Sequence, residues 1–207
     1  MAFFKKTEKN KEPEVKRTWG EICLDYLHDV VYILALALLL FTFCVRAVIV
    51  SGSSMFPTLV DGDYLLLLNR PLCGELEQGD IVVASMDRFR GGEAIVKRVI
   101  ATEGQRVDID FRAGIVYVDD VALVEDYVYT PTHLSEGMEF PLVVEEGCVF
   151  LMGDNRAESR DSRAPEIGLV DEREILGQAI FLMMPGTGTA EYRVDRDFGR
   201  IGGLENG

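Results

Sequence analysis

Basic residues are scarce in this sequence, which has 21 lysines and arginines against 35 aspartates and glutamates, a formal net charge of −14. Because nucleic acids are held through positive surfaces, so acidic a chain is not expected to bind them. The shortage is greatest for lysine, since five of its six residues lie within the first 16 positions and only Lys97 follows. That isolation makes Lys97 a candidate for chemistry.

Cysteine and histidine are also rare. The four cysteines are dispersed and form no C-x-x-C pair, which argues against a disulfide framework and against a zinc site. Cys73 and Cys148 could pair outside a membrane only if they lie close together, and the sequence does not fix their separation. Of the two histidines, His28 precedes an apolar run, so a Ser-His-Asp triad would have to use His133, which has no supporting motif.

The apolar run from Val30 to Val45 is uncharged and predicts a membrane anchor. It is shorter than the roughly 20 residues of a typical span, but Arg46 can extend it by reaching towards the interface. A buried core helix is disfavoured because the run has no polar stripe. A cleaved signal peptide is disfavoured because Arg46 and branched residues follow instead of small ones. The lysines before the run place the N-terminus in the cytoplasm and the remainder outside.

The sequence after the anchor is typical of a β domain. Short branched or aromatic runs alternate with turn residues such as Asp61-Gly62-Asp63. The predicted strands are Tyr64–Leu68, Asp80–Ser85, Ala94–Ala101, Arg106–Asp110, Ile115–Val118, Leu142–Val144, Val149–Met152 and Ala179–Met183. A short helix is predicted near Asp171–Leu176. We expect a mostly β fold, with an antiparallel coiled β-sheet or barrel-like catalytic domain behind a single N-terminal transmembrane helix.

These features divide the chain into four segments. They are a cytoplasmic tail at 1–29, a transmembrane anchor at 30–47, an extracytoplasmic β-rich domain at 48–194 and a polar, frayed tail at 195–207.

The turn Ser51–Leu59 follows the anchor directly and is the first candidate for chemistry. Its small residues and Pro57 predict a tight turn that exposes a hydroxyl and directs backbone N–H groups at a developing oxyanion. The alternative is a flexible Ser/Gly linker between anchor and domain.

Lys97 lies within the apolar run Ile95–Ile100, so its sequence neighbours would remove water from its amine. Burial lowers the pKa of a lysine from about 10.4, and a neutral amine can accept the proton of a serine hydroxyl. The alternative is a half-buried strand. Strand alternation requires either Lys97 or Arg98 to point outward, and Arg98 can be that residue.

The segment Gly153–Arg163 is a dense polar stretch after an apolar strand. It offers a serine hydroxyl that could orient a lysine and an Asp161–Arg163 ion pair that could stiffen the turn. The alternative is an ordinary solvated loop.

Together the three segments resemble the type I signal peptidase family in its prokaryotic Ser/Lys form, from the anchor to about Met184. Three of the family's motifs are matched, S-M-x-P-T-L by Ser54–Leu59, K-R by Lys97-Arg98, and G-D-N-R-x-x-S-x-D-S-R at each fixed position of Gly153–Arg163. Gly79-Asp80 matches a further G-D motif. Their order behind one anchor makes the resemblance specific.

The resemblance implies a role for each matched residue. Ser54 would attack the scissile carbonyl, Lys97 would be the general base, and Ser159 would orient Lys97. Asp161 and Arg163 would form a structural ion pair. The family's second oxyanion donor stands two residues before the nucleophile, where this chain has Gly52. Either Ser51 or Ser53 could replace that donor.

The resemblance also implies the substrate. The partners would be membrane lipid and preproteins that carry a signal peptide. The enzyme would cut these preproteins after small residues at −1 and −3, through an acyl-enzyme on Ser54. The residues matching the family's shallow pockets are Met55, Leu59, Ile95 and Val96. Neither a metal nor an organic cofactor is required, and no feature of the sequence indicates an oligomeric state.

Three other functions compete with this interpretation. A soluble self-cleaving repressor-type protease also uses serine and lysine on a related β fold, but it lacks the anchor and the Gly153–Arg163 loop. A penicillin-binding or β-lactamase enzyme would have the motif S-x-x-K on a helix, whereas the third residue after Ser54 is Pro57. A non-enzymatic membrane-tethered β module would not account for the three matched motifs.

Overall fold

The computed structural model describes residues 18–188 and 199–201, and it begins with the helix α1, Trp19–Cys44. The start of α1 is capped reciprocally, since Thr18 N donates to Glu21 Oε2 at 2.9 Å and Glu21 N donates to Thr18 Oγ1 at 3.4 Å. The helix has 26 residues, none of them buried, and is long and apolar enough to cross a membrane. Residues 1–17 of the predicted cytoplasmic tail, and all but 199–201 of the predicted C-terminal tail, lie outside the described residues.

Within residues 18–188 and 199–201, twelve strands follow the helix, and each of the eight predicted runs overlaps one of them. The strands are β1 Val45–Ile49, β2 Tyr64–Asn69, β3 Ile81–Ser85, β4 Ala94–Ala101, β5 Arg106–Asp110, β6 Ile115–Val118, β7 Val121–Ala122, β8 Leu142–Val143, β9 Cys148–Met152, β10 Val170–Asp171, β11 Ile175–Met184 and β12 Gly199–Arg200. Two single turns of 3₁₀ helix complete the elements, at Arg70–Leu72 and Glu172–Glu174.

The strands form two antiparallel sheets. The larger has the order β1-β2-β11-β3-β4-β9-β10, with β12 paired to β11, and the smaller has the order β7-β6-β5-β8. The predicted fold class, mostly β behind one apolar N-terminal helix, is confirmed. Among residues 18–188 and 199–201 the strand path of neither sheet closes on itself, so the domain is an open sheet rather than a barrel.

The short helix expected near Asp171–Leu176 is reduced to a single 3₁₀ turn at Glu172–Glu174. Asp171 caps a single 3₁₀ turn by accepting a hydrogen bond from Arg173 N, and Glu174 completes the capping box. From Ile175 the backbone is extended and joins β11, in which buried and more exposed residues alternate. The period of two along β11 therefore outweighs the helical signal at its start.

Strand β4 lies in the interior of the larger sheet, between β3 and β9. Lys97 pairs with Val82 of β3, and Arg98 pairs with Met152 at the end of β9. Because Gly153 directly follows Met152, this register places the start of the polar segment Gly153–Arg163 beside Lys97 and Arg98. Both flanking strands are buried, with exposures of 2% or less for Ile81–Ala84 and Val149–Met152.

Candidate active site

The turn that carries Ser54 is fixed by hydrogen bonds at both ends. Gly52 N donates to Asp61 Oδ1 at 2.8 Å, and Leu59 N donates to Met55 O at 2.9 Å. Gly52 has a φ of +94°, a conformation that favours glycine, so the backbone can turn sharply before the serine. The segment is thus an ordered turn rather than a flexible linker.

Asn155 joins this turn to the polar segment Gly153–Arg163. Its backbone N donates to Ser54 O at 3.0 Å, and its side-chain Nδ2 donates to Ser53 O at 3.2 Å. Both bonds leave the Ser54 side chain free to face Lys97. The G-D-N sequence therefore has a structural consequence, which is to hold the serine backbone against β4.

Lys97 and Ser54 are in direct contact. The Nζ of Lys97 donates to Ser54 Oγ at 2.7 Å and to the carbonyl oxygen of Val96 at 3.0 Å. Lys97 is 3% exposed, whereas Ser54 is half-buried and reachable from solvent. The two residues stand 43 positions apart in the sequence and meet because β4 lies beneath the turn.

Burial lowers the pKa of Lys97 from 10.5 to about 8. The cause is desolvation, since an ammonium loses the water that stabilises its charge. The negative charges of Asp161, Asp154 and Glu136 oppose this effect, and the positive charge of Arg163 adds to it. A substantial fraction of Lys97 is therefore the neutral amine at mildly alkaline pH.

Arg98 does not point to solvent, so that expectation from strand alternation is wrong. Its side chain is buried, with Nε and Nη2 bonded to the two carboxylate oxygens of Asp154 at 2.9 and 2.7 Å. The guanidinium also lies 3.9 Å from the ring centroid of Tyr127. Alternation fails here because protein covers both faces of β4 at this position.

The Gly153–Arg163 segment is largely buried and is not a solvated loop. Asp161 and Arg163 are both fully buried and form a bidentate ion pair, with both N–O distances at 2.8 Å. Asp161 Oδ2 also accepts a hydrogen bond from Gly153 N at 3.0 Å. Arg163 and these bonds hold the pKa of Asp161 below its usual range despite burial, so the carboxylate stays ionised.

Ser159 lies in the same cavity wall as Ser54 and Lys97. Its Oγ is buried and, within the described part of the chain, meets no partner at hydrogen-bond geometry. It is nevertheless close enough to the Asp161 carboxylate to favour its ionised form. The two hydrogen bonds of Lys97 Nζ go to Ser54 and Val96, not to Ser159.

Ser54 and Lys97 face a cavity of about 510 Å³. Its wall includes three of the four residues predicted to form the pockets, Met55, Ile95 and Val96. Leu59 departs from that prediction, since it is fully buried in the core that it shares with Met55 and is absent from the cavity wall. The bond between Leu59 N and Met55 O turns the chain so that Leu59 points inward.

Several residues of the site had no motif to identify them. Phe89, Arg90, Glu93 and Glu136 line the cavity, but they lie in loops or at strand ends with no distinctive pattern. A buried ion pair between Arg156 and Glu125, with Arg156 Nη1 also donating to Thr132 Oγ1 at 2.6 Å, ties the segment before β8 to the polar loop. Arg156 is a fixed position of the G-D-N-R motif, so the sequence could have identified it. Its partner Glu125 could not be distinguished from the other loop carboxylates.

The remaining candidates from the sequence do not enter the cavity wall. A ring nitrogen of His133, the alternative base, lies 3.0 Å from Phe111 O, and the residue does not line the cavity. Cys73 and Cys148 are free thiols. Among residues 18–188 and 199–201, no group of three or more histidine, cysteine or acidic side chains is placed to hold a metal ion.

Comparison with known proteins gives consistent matches. The family model described as "Signal peptidase, peptidase S26" matches residues 23–184. Signal peptidase I of Bacillus amyloliquefaciens is 33% identical over 197 residues, which cover 86% of this chain and 95% of that protein. The probable signal peptidase I-1 of Synechocystis sp. is 36% identical over 162 residues, covering 74% of this chain and 79% of that protein. A solved structure of a signal peptidase I from Enterococcus faecalis aligns with a TM-score of 0.42 and 27% identity, covering 51% of this chain and 97% of that one.

Proposed function

Since the chain belongs to the peptidase S26 family and is a serine endopeptidase that removes signal peptides, we propose that it cuts with Ser54 as nucleophile and Lys97 as general base. The observation that carries the proposal is the 2.7 Å contact between Lys97 Nζ and Ser54 Oγ, made by a lysine that is 3% exposed. A base within hydrogen-bond reach of a hydroxyl, with its pKa lowered towards neutrality, is what a Ser/Lys mechanism needs.

The geometry supports a specific arrangement of the neutral amine. A neutral lysine has one lone pair and two N–H donors. With the lone pair directed at the Ser54 hydroxyl, one N–H can donate to Val96 O, which lies 3.0 Å away. The second needs another acceptor in the cavity, and Ser159 Oγ is buried there without a hydrogen-bond partner among the described residues. We therefore assign Ser159 the role of orienting Lys97.

In the first half of the reaction, Ser54 Oγ attacks the scissile carbonyl carbon while Lys97 takes the hydroxyl proton. Collapse of the tetrahedral intermediate breaks the C–N bond, and the Lys97 ammonium protonates the departing amine. The signal peptide remains as an ester on Ser54. Lys97 then takes a proton from water, whose oxygen attacks the ester carbonyl carbon. Collapse of this second tetrahedral intermediate breaks the bond to Ser54 Oγ, the Lys97 ammonium returns the proton to that oxygen, and the signal peptide leaves as a carboxylate.

The oxyanion is assigned to the backbone N–H of Ser54. Gly52 has no side-chain donor to offer. Ser53 is also committed elsewhere, because its hydroxyl donates to Glu158 Oε2 at 2.8 Å. Ser51 is exposed and lines the cavity, so of the two serines considered it is the better placed to add a second donor.

We propose that the cavity wall beside the nucleophile sets the specificity for small residues at −1 and −3. Met55, Ile95 and Val96 supply apolar surface there. Residues 94–97 of β4 pair with β3 on one side and lie beyond the last pair with β9 on the other, so they offer a backbone edge along which an extended peptide can pair. Shallow apolar pockets accept alanine-sized side chains and exclude larger ones.

The family is membrane-anchored, and α1 fits a single membrane span. We assign residues 1–29 to the cytoplasm, 30–47 to the anchor, 48–194 to an extracytoplasmic catalytic domain and 195–207 to a polar tail. Only nine residues separate the last residue of α1 from Ser54.

The test is cleavage of a purified preprotein with alanine at −1 and −3 by the full-length enzyme in detergent, using wild type, Ser54→Ala and Lys97→Ala. Cleavage after −1 by wild type alone, shown by mass spectrometry of both products, is the expected result. Cleavage that survives Lys97→Ala would require a different base.

A further inference from the structure

One carboxylate in the cavity wall has no part in the mechanism described above. Glu136 lies in the segment between β7 and β8, yet it lines the same cavity as Ser54 and Lys97. Its side chain is 4% exposed. Withdrawing a carboxylate from water is costly, so its partners need to be accounted for.

The partners of Glu136 are distant. Its Oε2 accepts a hydrogen bond from Asp161 N at 3.4 Å, and its Oε1 lies 3.5 Å from Arg160 Nη1. Arg160 is shared with Glu166, to which its Nε donates at 2.9 Å. Burial and the neighbouring Asp161 raise the pKa of Glu136, while Arg163 and Arg160 oppose that rise. Burial and Asp161 therefore act against the negative charge of Glu136, and the two arginines compensate it only in part.

The other carboxylates that act on Lys97 are compensated more closely. Asp154 is bonded by Arg98 at 2.7 and 2.9 Å, and Asp161 is bonded by Arg163 at 2.8 Å. Arg163 is the positive group that acts on Lys97 in the opposite sense. Of the three carboxylates, Glu136 has the longest contact with an arginine, at 3.5 Å, and its effect on the pKa of Lys97 comes after those of Asp161 and Asp154.

We propose that Glu136 is a positioning residue for the general base, whose carboxylate stabilises the Lys97 ammonium that forms whenever Lys97 takes a proton from Ser54 or from water. This inference rests on the proposed Ser54/Lys97 mechanism. A buried lysine alone would be a weak base because its charged form is desolvated. A buried carboxylate in the wall of the same cavity restores part of that basicity.

The sign of the effect follows directly. A negative charge near a lysine favours the protonated form and raises its pKa, so removal of the charge lowers that pKa. Because the neutral amine is the active form, the acidic limb of kcat/KM against pH marks the titration of Lys97 in the free enzyme. Glu136→Gln should move that limb to lower pH.

Glu166→Gln is the matched control. It removes one carboxylate and one partner of the same Arg160, but Glu166 is exposed and does not line the cavity. We expect Glu136→Gln to shift the limb to lower pH by about 0.5–1 unit. Glu166→Gln keeps the Glu136 charge and can act only by freeing Arg160 to pair with it, so its shift should be smaller. Glu136→Asp, which keeps the charge, should restore most of the wild-type profile.

A second readout is independent of activity. Lys97 is the one lysine after position 16, so in protein labelled with [ε-¹³C]lysine its resonance can be assigned by its loss in Lys97→Ala. The midpoint of its titration should fall in Glu136→Gln by the same amount as the kinetic limb. Glu136→Ala is a second charge-removing variant with the same expected direction, should the glutamine variant not fold.

Unchanged kinetic and NMR midpoints in the folded charge-removing variant would overturn the role of Glu136, whatever happens to the overall rate. If Lys97→Ala still cleaved the preprotein, the Ser54/Lys97 mechanism itself would fail and this inference with it. The Lys97→Ala variant thus separates the two failures.

Discussion

At the residue scale, the chemistry depends on how Lys97 is solvated. Its amine exchanges water for two hydrogen bonds, to Ser54 Oγ and Val96 O, inside a site where its charged form is disfavoured. The same burial that activates the lysine leaves it dependent on few contacts for its orientation. Each contact in the cavity should therefore affect the rate of the chemical step more than substrate binding.

Ser159→Ala tests that dependence. The substitution removes a buried hydroxyl that lacks a hydrogen-bond partner among the described residues, so the fold should lose little. If the hydroxyl orients Lys97 during proton transfer, kcat should fall by about 10- to 100-fold while KM changes little. The measurement is steady-state kinetics on a preprotein substrate. A kcat equal to that of wild type would remove Ser159 from the site.

Where a motif fixed both residue type and spacing, the residues chosen from the sequence lie close together in the structure. Ser54 and Lys97 were chosen from such motifs, and the structure brings them together. Arg98 was misread because alternation assumes that one face of a strand is wet, whereas Tyr127 and Asp154 cover it. Glu136 could not be predicted from the sequence, because it lies in a loop without a motif and reaches the cavity only through tertiary contacts with the distant Gly153–Arg163 loop.

At the scale of elements, the Gly153–Arg163 loop determines the geometry of the site. It begins where β9 ends, and Gly153 lies against both Ser54 and Ser159. A Cβ at Gly153 would come within 3.0 Å of Ser54 O and of the Cβ and Oγ of Ser159. The glycine of the G-D-N motif is thus required by close packing between the loop and the nucleophile turn.

Gly153→Ala should therefore disturb both stability and catalysis. We expect a loss of about 1–3 kcal/mol in the free energy of unfolding from overpacking, together with a reduced kcat because Ser54 is displaced. Urea unfolding and cleavage kinetics measure the two effects. Gly20→Ala, at a position with nothing within 4 Å of the added carbon, is the control. Wild-type behaviour of Gly153→Ala would show that the loop can shift without affecting Ser54.

Strand positions were predictable because β4, β5 and β6 combine branched residues with flanking turns. Strand β10 was not predictable, because a two-residue strand is too short to show a periodicity. The length of the 3₁₀ turn at Glu172–Glu174 was not predictable either, because a capping box can begin a long helix or a single turn. The pairing of β4 between β3 and β9, which assembles the site, depends on contacts up to tens of residues apart that no local pattern encodes.

At the scale of the whole molecule, the buried lysine should reduce the stability of the fold. The folded protein titrates Lys97 near 8, whereas an unfolded lysine titrates near 10.5. Between these values the unfolded chain holds one more proton, so the stability of the wild type rises with pH. Below pH 8 the difference in pKa corresponds to a penalty of about 3 kcal/mol.

Lys97→Met removes this penalty, because methionine is uncharged and its side chain is similar in length to that of lysine. At pH 7 the variant should be inactive yet more stable than wild type, by up to about 3 kcal/mol less the lost hydrogen bonds. The difference should shrink as pH rises from 8 to 10.5, because the wild type gains stability and the variant does not. Denaturant unfolding in one detergent across this range measures it. A difference that is independent of pH would contradict a lowered pKa.

The large-scale organisation was the easiest to predict. One apolar run and a series of short strands were enough for an anchor followed by a β domain, and α1 and the two sheets agree with that interpretation. Whether the sheets close into a barrel or stay open was not predictable from the sequence, because this depends on the twist and register of strands that meet only in the folded domain.

The central claim is that Lys97 is a neutral base in contact with Ser54, and titration of its side chain tests this most directly. In full-length enzyme labelled with [ε-¹³C]lysine, the Lys97 resonance is assigned by its loss in Lys97→Ala. The other five lysines all lie within the first 16 residues of the sequence. The account predicts a midpoint near 8 for Lys97. A midpoint near 10.5 for Lys97 would contradict it.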